Sequence, residues 1–180
     1  MKVWLGKTFG DLSRPQVTNF SLAVFGMITK RSGIISELVR DVRITGSSKH
    51  KHRRKRLDRF LANQRVMPER LFAFWIKWVL KVFVKGRYVP IAIDWTTLPG
   101  GRQCLMAAIP FCGRGIPLMW RILDHWESIK DSQNRIEERL LSRLLNIIIS
   151  ENYRPIVIGD RGFGRATLSE FLLKKGCCLS

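Results

Sequence analysis

The sequence is short of acidic residues, histidine and cysteine. Its 180 residues include 14 Asp and Glu against 32 Lys and Arg, with only 3 His and 4 Cys. The cysteines are Cys104, Cys112, Cys177 and Cys178. Their spacings match no zinc-binding pattern, and the histidines add no ligand pair. We therefore expect no zinc site, and we expect reduced core thiols in a cytoplasmic protein.

Long apolar runs are also missing. The most apolar stretch, Phe72 to Val84, spans 13 residues and contains Lys77 and Lys81, whereas a membrane-spanning helix needs about 20 residues. The first ten residues hold too short an apolar run for a signal peptide. We expect Phe72 to Val84 to be a helix that packs the first half of the chain on the second. The alternatives are a dimer contact and a helix that lies on a membrane surface. The apolar stripe of this stretch consists of Phe72, Trp75, Ile76, Val79, Leu80 and Phe83.

Positive charge is what the sequence has in excess. The formal net charge is +18 and the pI is about 10.8, which indicates a polyanionic partner such as nucleic acid. Residues 1–88 contain 20 Lys and Arg against 5 Asp and Glu, whereas residues 89–180 contain 12 against 9. We expect the first half to supply the attraction. Apolar residues make up 46% of the chain, so it is globular and not disordered.

The first half of the chain has helical spacing interrupted by glycine and serine. Gly46-Ser47-Ser48 is a predicted turn, and Gly86 ends the last helix. The predicted helices are Pro15–Arg31, Ile34–Val42, Lys51–Gln64 and Pro68–Val84. Short helices in a basic region favour a small DNA-binding module over residues 1–85, although no residue pattern establishes a helix-turn-helix.

The second half alternates strand and helix patterns. Close turns separate the first three predicted strands, which favours an antiparallel meander. Apolar residues then recur at helical steps from Ser132 to Ser150, with Glu137, Glu138, Arg139 and Arg143 on the expected exposed face. The predicted strands are Tyr88–Thr97, Arg102–Phe111, Ile116–Leu123, Pro155–Asp160 and a start at Cys177–Ser180, with a further helix at Ala166–Lys175.

This order predicts a mixed α/β sheet. A helical crossover between parallel strands is right-handed and returns the fourth strand beside the first. Three antiparallel strands followed by such a crossover are the opening of the ribonuclease H-like fold. We therefore predict an incomplete ribonuclease H-like domain over residues 86–180, preceded by the small basic all-helical module.

Two aspartates stand out in these strands. Asp94 lies inside the apolar strand IAIDW, and Asp160 ends IVIGD. Neighbouring strands are about 4.8 Å apart, so two carboxylates at matched heights would repel each other without a cation. Mg²⁺ or Mn²⁺ takes such oxygen ligands, and two such ions can bind both reacting oxygens in phosphoryl transfer. A cap or turn role is the alternative for each aspartate.

The densest basic run is Lys49 to Arg59, KHKHRRKRLDR. As a helix it places Leu57, Phe60 and Leu61 on one side, for docking on a helical core. The residues expected to grip DNA phosphates are Arg53, Arg54, Lys55, Arg56 and Arg59. A solvated charged face and a nuclear-localisation segment are the alternatives.

Several of these segments resemble one protein family. IAIDWTTLPGG, the meander after it and VIGDRGFGRATLSEFLLKKG resemble bacterial insertion-sequence transposases of the "insertion sequence four" group, which are DDE enzymes. The phrase GDRGFG is the most specific part. The resemblance covers Lys51 to Ser180, and Arg53 to Asn63 resembles the basic segment ahead of that family's catalytic domain.

The resemblance implies roles for individual residues. Asp94 matches the first catalytic aspartate and Asp160 the second, together holding two Mg²⁺ or Mn²⁺ ions in an intact site. The family's third acid is a glutamate in a downstream Tyr–Arg–Glu–Lys motif, which this sequence does not reach. Asp124, Glu127 and Glu170 are poorly placed substitutes. We expect an N-terminal part of a transposase that is weak or inactive alone.

The residues beside the aspartates allow two interpretations. Arg161 and Arg165 either hold a DNA phosphate or are solvated turn residues. Trp95 lies on the opposite sheet face from Asp94 and is expected in the core. The leading function is transposition on double-stranded DNA, at element ends and target, with a second copy or a full-length transposase as partner. The alternatives are a non-catalytic DNA-binding remnant and a basic RNA-associated protein.

Overall fold

The computed structural model describes residues 2–40, 50–64, 66, 68–124 and 132–179. Its packing forms two compact units, Met1–Phe74 and Trp75–Ser180. The division falls inside the last helix of the first half, whereas the sequence suggested a boundary after residue 85. The predicted turn at 46–48 and the acid at position 127 lie outside the described residues.

The first unit is helical and begins with a helix that the sequence analysis did not predict. Its helices are α1 (Lys2–Thr8), α2 (Arg14–Lys30), α3 (Ile35–Leu38), α4 (His50–Leu61) and the start of α5 (Pro68–Phe83). Helix α2 starts after Ser13, whose backbone N–H donates to Gln16 Oε1 at 2.8 Å, and it ends where Arg31 is left-handed at φ 49°. These capping features set the bounds of α2 close to those predicted.

Aromatic and aliphatic side chains form the core of the first unit. The rings of Phe9 and Phe20 lie 5.3 Å apart, and those of Phe20 and Phe60 lie 6.2 Å apart. Leu57 of α4 belongs to a buried cluster with Leu38 and other apolar residues. Two residues of α4, Leu57 and Phe60, are therefore core residues, as predicted, but the third, Leu61, is 57% exposed.

The second unit is built on a mixed five-stranded sheet. Its strands are β1 (Tyr88–Thr97), β2 (Gln103–Phe111), β3 (Arg114–Leu123), β4 (Arg154–Gly159) and β5 (Cys178–Leu179), and its helices are α6 (Gln133–Ser150) and α7 (Ala166–Lys174). The strand order is β3-β2-β1-β4-β5. β1–β2 and β2–β3 are antiparallel, whereas β4 is parallel to both β1 and β5. The predicted α/β class, the meander and the parallel strand beside β1 are confirmed.

One face of β1 carries the core of the second unit. Val89, Ile91 and Ile93 alternate along the strand and are at most 2% exposed. Helix α6 packs on this side, and its N-terminus is capped by Ser132 Oγ, which accepts from the Arg135 N–H at 3.3 Å. The fully buried apolar residues of α6 are Leu141, Leu144, Leu145 and Ile148.

The second half of α5 also belongs to this unit. Trp75 Nε1 donates to the Pro117 carbonyl at 2.6 Å, and Lys77 pairs with Glu151 at 2.7 Å. These contacts, with buried side chains such as Ile76, explain why the division between units falls within α5. Most of the predicted apolar stripe is buried, at Phe72, Ile76, Val79 and Leu80. No helix in the described part of the chain has the length and apolar character needed to cross a membrane.

The cysteines are only partly the core thiols that we expected. Cys104 and Cys177 are buried, but Cys112 is exposed in the β2–β3 turn. Burial raises the pKa of the Cys104 thiol, so this cysteine stays protonated and unreactive at neutral pH. The side chain of Cys178 lies outside the described residues.

Candidate functional site

Asp94 and Asp160 lie at the same level of two adjacent parallel strands. The β1–β4 register ends at the pair Ile93 and Gly159. Asp94 is the next residue of β1, and Asp160 is the first residue after β4. Both are exposed. Since neighbouring strands are about 4.8 Å apart, this register is the one in which a single cation can be shared between two carboxylates.

Exposure explains how Asp94 is tolerated inside an apolar strand. Ile93 before it is 2% exposed and points to the α6 side, so Asp94 points to the other side by strand alternation. Its partner across the ladder in β2 is Met106. Asp94 therefore keeps access to water, and no buried charge has to be neutralised.

Asp160 also caps the turn that follows β4. Its Oδ1 accepts the Gly162 N–H at 2.9 Å, at the start of the 3₁₀ turn Arg161–Phe163. The cap role that the sequence left open is thus real for Oδ1. Its other oxygen, Oδ2, makes no hydrogen bond to any described residue, so capping leaves one oxygen of Asp160 available to a cation.

The glycine before Asp160 is required by close packing. A Cβ added to Gly159 would lie 2.9 Å from the Cβ of Phe163, which is closer than two packed carbons can approach. Phe163 is buried at 8% exposure. The phrase GDRGFG therefore folds its phenylalanine back over the end of β4, and this packing fixes where Asp160 sits.

The two arginines that flank the turn are in different environments. Arg161 is exposed, which suits contact with a phosphate. The side chain of Arg165 is 19% exposed, and its Nη1 forms an ion pair with Glu137 Oε2. Its Nε and Nη2 are buried and make no hydrogen bond to described residues. Of the predicted phosphate-binding pair, only Arg161 presents its charge to solvent.

Glu137 is the residue near this site that sequence reasoning placed wrongly. We expected it on the exposed face of α6, but it is 1% exposed. Its Oε1 accepts from Trp95 Nε1 at 2.8 Å, so Trp95, which is half-buried, lies on the α6 side of the sheet. The signal was present in the spacing: Glu137 precedes Leu140 by three residues and Leu141 by four, and so shares their helix face.

The donor set fits a hard cation. Two carboxylates can hold Mg²⁺ or Mn²⁺ when phosphate oxygens and water complete the coordination. Within the described ranges, no group of three or more His, Cys, Asp or Glu residues could hold a metal. Asp124 follows β3, which lies two strands from β1 and ends at the level of Thr97 rather than Asp94, and Glu170 is exposed on α7.

In the first unit, α4 presents its charges unequally. Arg53 is 9% exposed, and its Nη1 donates to the Val39 carbonyl at 3.3 Å. It shares the buried side of α4 with Leu57 and Phe60, at spacings of four and three residues. Arg53, one of the five predicted phosphate ligands, is therefore placed to anchor α4 rather than to meet DNA.

The remaining predicted DNA-binding residues of α4 are on the surface. Arg54 lies 3.8 Å from Asp58, and Arg56 Nε donates to Asn19 Oδ1. Lys55 and Arg59 are exposed. Exposed cations one to five positions apart along a helix form a surface that can follow a phosphate backbone.

The chain matches no known family model, no curated protein and no solved structure. What the site can do therefore has to be argued from its own residues. These are Asp94 within β1 and Asp160 directly after β4, the exposed Arg161 beside Asp160, and the cations of α4.

Proposed function

We propose that this chain is part of a DNA transposase, with residues of the second unit forming a ribonuclease H-like catalytic domain. The observation that carries the proposal is the register of Asp94 and Asp160, each one residue past the pair Ile93 and Gly159. The strand order β3-β2-β1-β4-β5 supports the fold assignment. The net charge of +18 supports a nucleic-acid substrate.

In this proposal Asp94 and Asp160 hold Mg²⁺ or Mn²⁺ against a DNA phosphate. The bound ion supplies Lewis-acid activation of the attacking oxygen and charge stabilisation of the leaving oxygen. The protein supplies the oxygen ligands, and the turn hydrogen bond from Gly162 keeps Asp160 at the strand end. Arg161 is exposed beside the ligands and binds a phosphate oxygen through its guanidinium.

The cations of α4 provide affinity for duplex DNA. Arg54, Lys55, Arg56 and Arg59 are exposed, and phosphate contacts of this kind give binding that weakens as salt rises. They do not select a sequence. The α4 surface therefore holds DNA whether or not the metal site is complete.

A second candidate is a DNA-binding remnant without catalysis. It is favoured by the absence, in the described part of the chain, of a third acid grouped with Asp94 and Asp160. The two candidates share the α4 surface and differ at the aspartates. Metal binding and strand cleavage separate them.

The test is Mn²⁺ binding measured by electron paramagnetic resonance, with a short DNA duplex present. We expect the chain to bind Mn²⁺ and Asp94→Asn and Asp160→Asn to lose that binding, because each removes a charged oxygen ligand. Asp124→Asn, two strands away from β1, is the matched control and should bind normally. Equal Mn²⁺ binding by all four proteins, or none by the unaltered chain, would contradict the metal site.

Nicking of supercoiled plasmid with Mn²⁺ then decides catalysis. Cleavage that Asp94→Asn abolishes supports an autonomous enzyme, and DNA and Mn²⁺ binding without cleavage supports a partial site. Competition between duplex DNA and RNA of equal length addresses the RNA-associated alternative. Equal affinity for DNA and RNA would count against the transposase proposal, since a transposase acts on duplex DNA and should bind it in preference to RNA.

A further inference from the structure

A buried carboxylate on α6 connects the two strands that carry the aspartates. Glu137 is 1% exposed. Its Oε1 accepts the indole N–H of Trp95 at 2.8 Å, and its Oε2 pairs with Nη1 of Arg165. Both oxygens of Glu137 are therefore engaged, one with β1 and the other with the segment after β4.

On the β1 side the connection reaches Asp94 through one peptide bond. Trp95 follows Asp94 directly. In β2, Asp94 pairs with Met106 and Trp95 pairs with Leu105. The ladder fixes the backbone of both residues, and alternation places their side chains on opposite faces. Holding the Trp95 indole from the α6 side therefore holds the Asp94 carboxylate on the other side.

On the β4 side the connection runs through the 3₁₀ turn. Phe163 N–H donates to the Asp160 carbonyl at 3.0 Å, and Arg165 N–H donates to the Phe163 carbonyl at 2.8 Å. Gly162 N–H donates to Asp160 Oδ1 at 2.9 Å. Since hydrogen bonds continue from Asp160 to Arg165, fixing the Arg165 guanidinium limits how far Asp160 can move.

Fold stability alone does not require this network. Removing two charges from water costs several kcal/mol per ion, and replacing a buried ion pair by apolar side chains of similar volume is often neutral or stabilising. The neighbours of Glu137 on α6, Leu140 and Leu141, show that apolar residues pack on this face. A buried Glu at this position is better explained by what it holds in place.

We propose that Glu137 is a positioning residue that sets the separation of Asp94 and Asp160 through Trp95 and Arg165, an inference that rests on the proposed metal site. Glu137 is not itself a ligand, because both of its oxygens are occupied. It acts as second-layer partners do in metal proteins, where their loss lowers metal affinity about 10- to 100-fold.

The test compares Mn²⁺ affinity and stability in the same variants. The triple variant Trp95→Phe/Glu137→Leu/Arg165→Met removes the network and fills it with apolar side chains. We expect it to unfold at the same or a higher urea concentration than the unaltered chain, and to bind Mn²⁺ about tenfold or more weakly. A merely structural role would leave the Mn²⁺ affinity of a stably folded variant unchanged.

Trp95→Phe is the second variant, since it removes the indole N–H together with part of the ring system and keeps one aromatic ring. We expect weaker Mn²⁺ binding and faster amide hydrogen exchange at Gly162 and Phe163, measured without metal. Glu170→Gln, an exposed glutamate on α7, is the matched control for loss of one negative charge. It should change neither readout.

The outcomes separate this inference from the proposed function. Normal Mn²⁺ affinity and normal Gly162 exchange in both network variants, with binding lost in Asp94→Asn, would overturn the role of Glu137 and leave the metal site standing. No Mn²⁺ binding by the unaltered chain would overturn both. Faster Gly162 exchange together with weaker Mn²⁺ binding supports both.

Discussion

Among the described residues, each unit of the molecule buries one charged side chain, and the two side chains have opposite charge. Among the described residues, the buried polar or charged side chains are Ser21, Arg53 and Glu137. Arg53, in the helical unit, donates to the Val39 backbone carbonyl. Glu137, in the sheet unit, is bound by a cation and an indole N–H.

The difference follows the charge of each unit. Met1–Phe74 has 16 Lys and Arg against 5 Asp and Glu, and Trp75–Ser180 has 16 against 9. In the helical unit burial of one arginine orients α4 so that the other cations face solvent. In the sheet unit a carboxylate is matched with a cation inside the protein, beside the candidate site. Charge therefore contributes to DNA affinity in the first unit and to internal geometry in the second.

The largest expected effect tests the internal pair in the sheet unit. Arg165→Met leaves the buried Glu137 carboxylate without its cation, and breaking a buried ion pair in this way costs about 3–5 kcal/mol. Arg161→Met, four residues earlier and exposed, should cost less than about 0.5 kcal/mol. Urea unfolding monitored by circular dichroism measures both.

For DNA binding the order of Arg161→Met and Arg165→Met should be reversed, with the larger effect for Arg161→Met. Arg161→Met should weaken binding, since its guanidinium faces solvent beside Asp160. A folded Arg165→Met chain should bind nearly as before. If Arg161→Met and Arg165→Met lowered the free energy of unfolding equally, the pair between Arg165 and Glu137 would not stabilise the sheet unit, and the contrast with the helical unit would fail.

The next effect tests the buried arginine of the helical unit. Arg53→Met keeps an apolar stem of similar length but removes the donor to the buried Val39 carbonyl, which should cost about 1–3 kcal/mol. Arg54→Met, exposed and 3.8 Å from Asp58, should cost less than about 1 kcal/mol. Thermal unfolding compares the pair, and a larger loss for Arg54 would show that α4 is oriented differently.

Much of the sheet could be predicted from the sequence. β1 has the predicted bounds, and α6 begins one residue after its predicted start. Period-two burial in β1 and period-3.6 burial in α6 are strong signals because each element packs one face against a core. Strand order also followed, since a helical crossover returns a parallel strand beside the first.

The sequence did not predict which charges are buried. The spacing from Leu140 and Leu141 placed Glu137 on the core side of α6, but a carboxylate is stable there only because Trp95 and Arg165 bind it. Those partners are distant along the chain and meet through the fold alone. The short helix α1 was missed for the same reason, because Leu5 is buried by tertiary packing and not by a repeating pattern.

The candidate site divides in the same way. Its two aspartates and their matched heights followed from strand pattern and topology, and the register of Ile93 with Gly159 agrees with that expectation. The roles of the arginines did not follow, because composition alone cannot distinguish an exposed guanidinium from one held by a buried partner. Arg53 and Arg165 were both grouped with phosphate ligands, and both are held within the protein.

The smallest expected effect in free energy concerns the surface of α4. Lys55→Ala/Arg59→Ala removes two exposed cations and should lower duplex DNA affinity at low salt. Each lost phosphate contact reduces the slope of log affinity against log salt by about 0.9, so the slope should fall by about 2. Fluorescence anisotropy across a salt series measures it. Arg53→Met is the matched control, since its guanidinium is buried against Val39 and its slope should stay unchanged. A smaller salt slope for Arg53→Met, together with an unchanged slope for the double variant, would mean that DNA lies against a different side of α4. The contrast between surface charge in the helical unit and internal charge in the sheet unit would then fail.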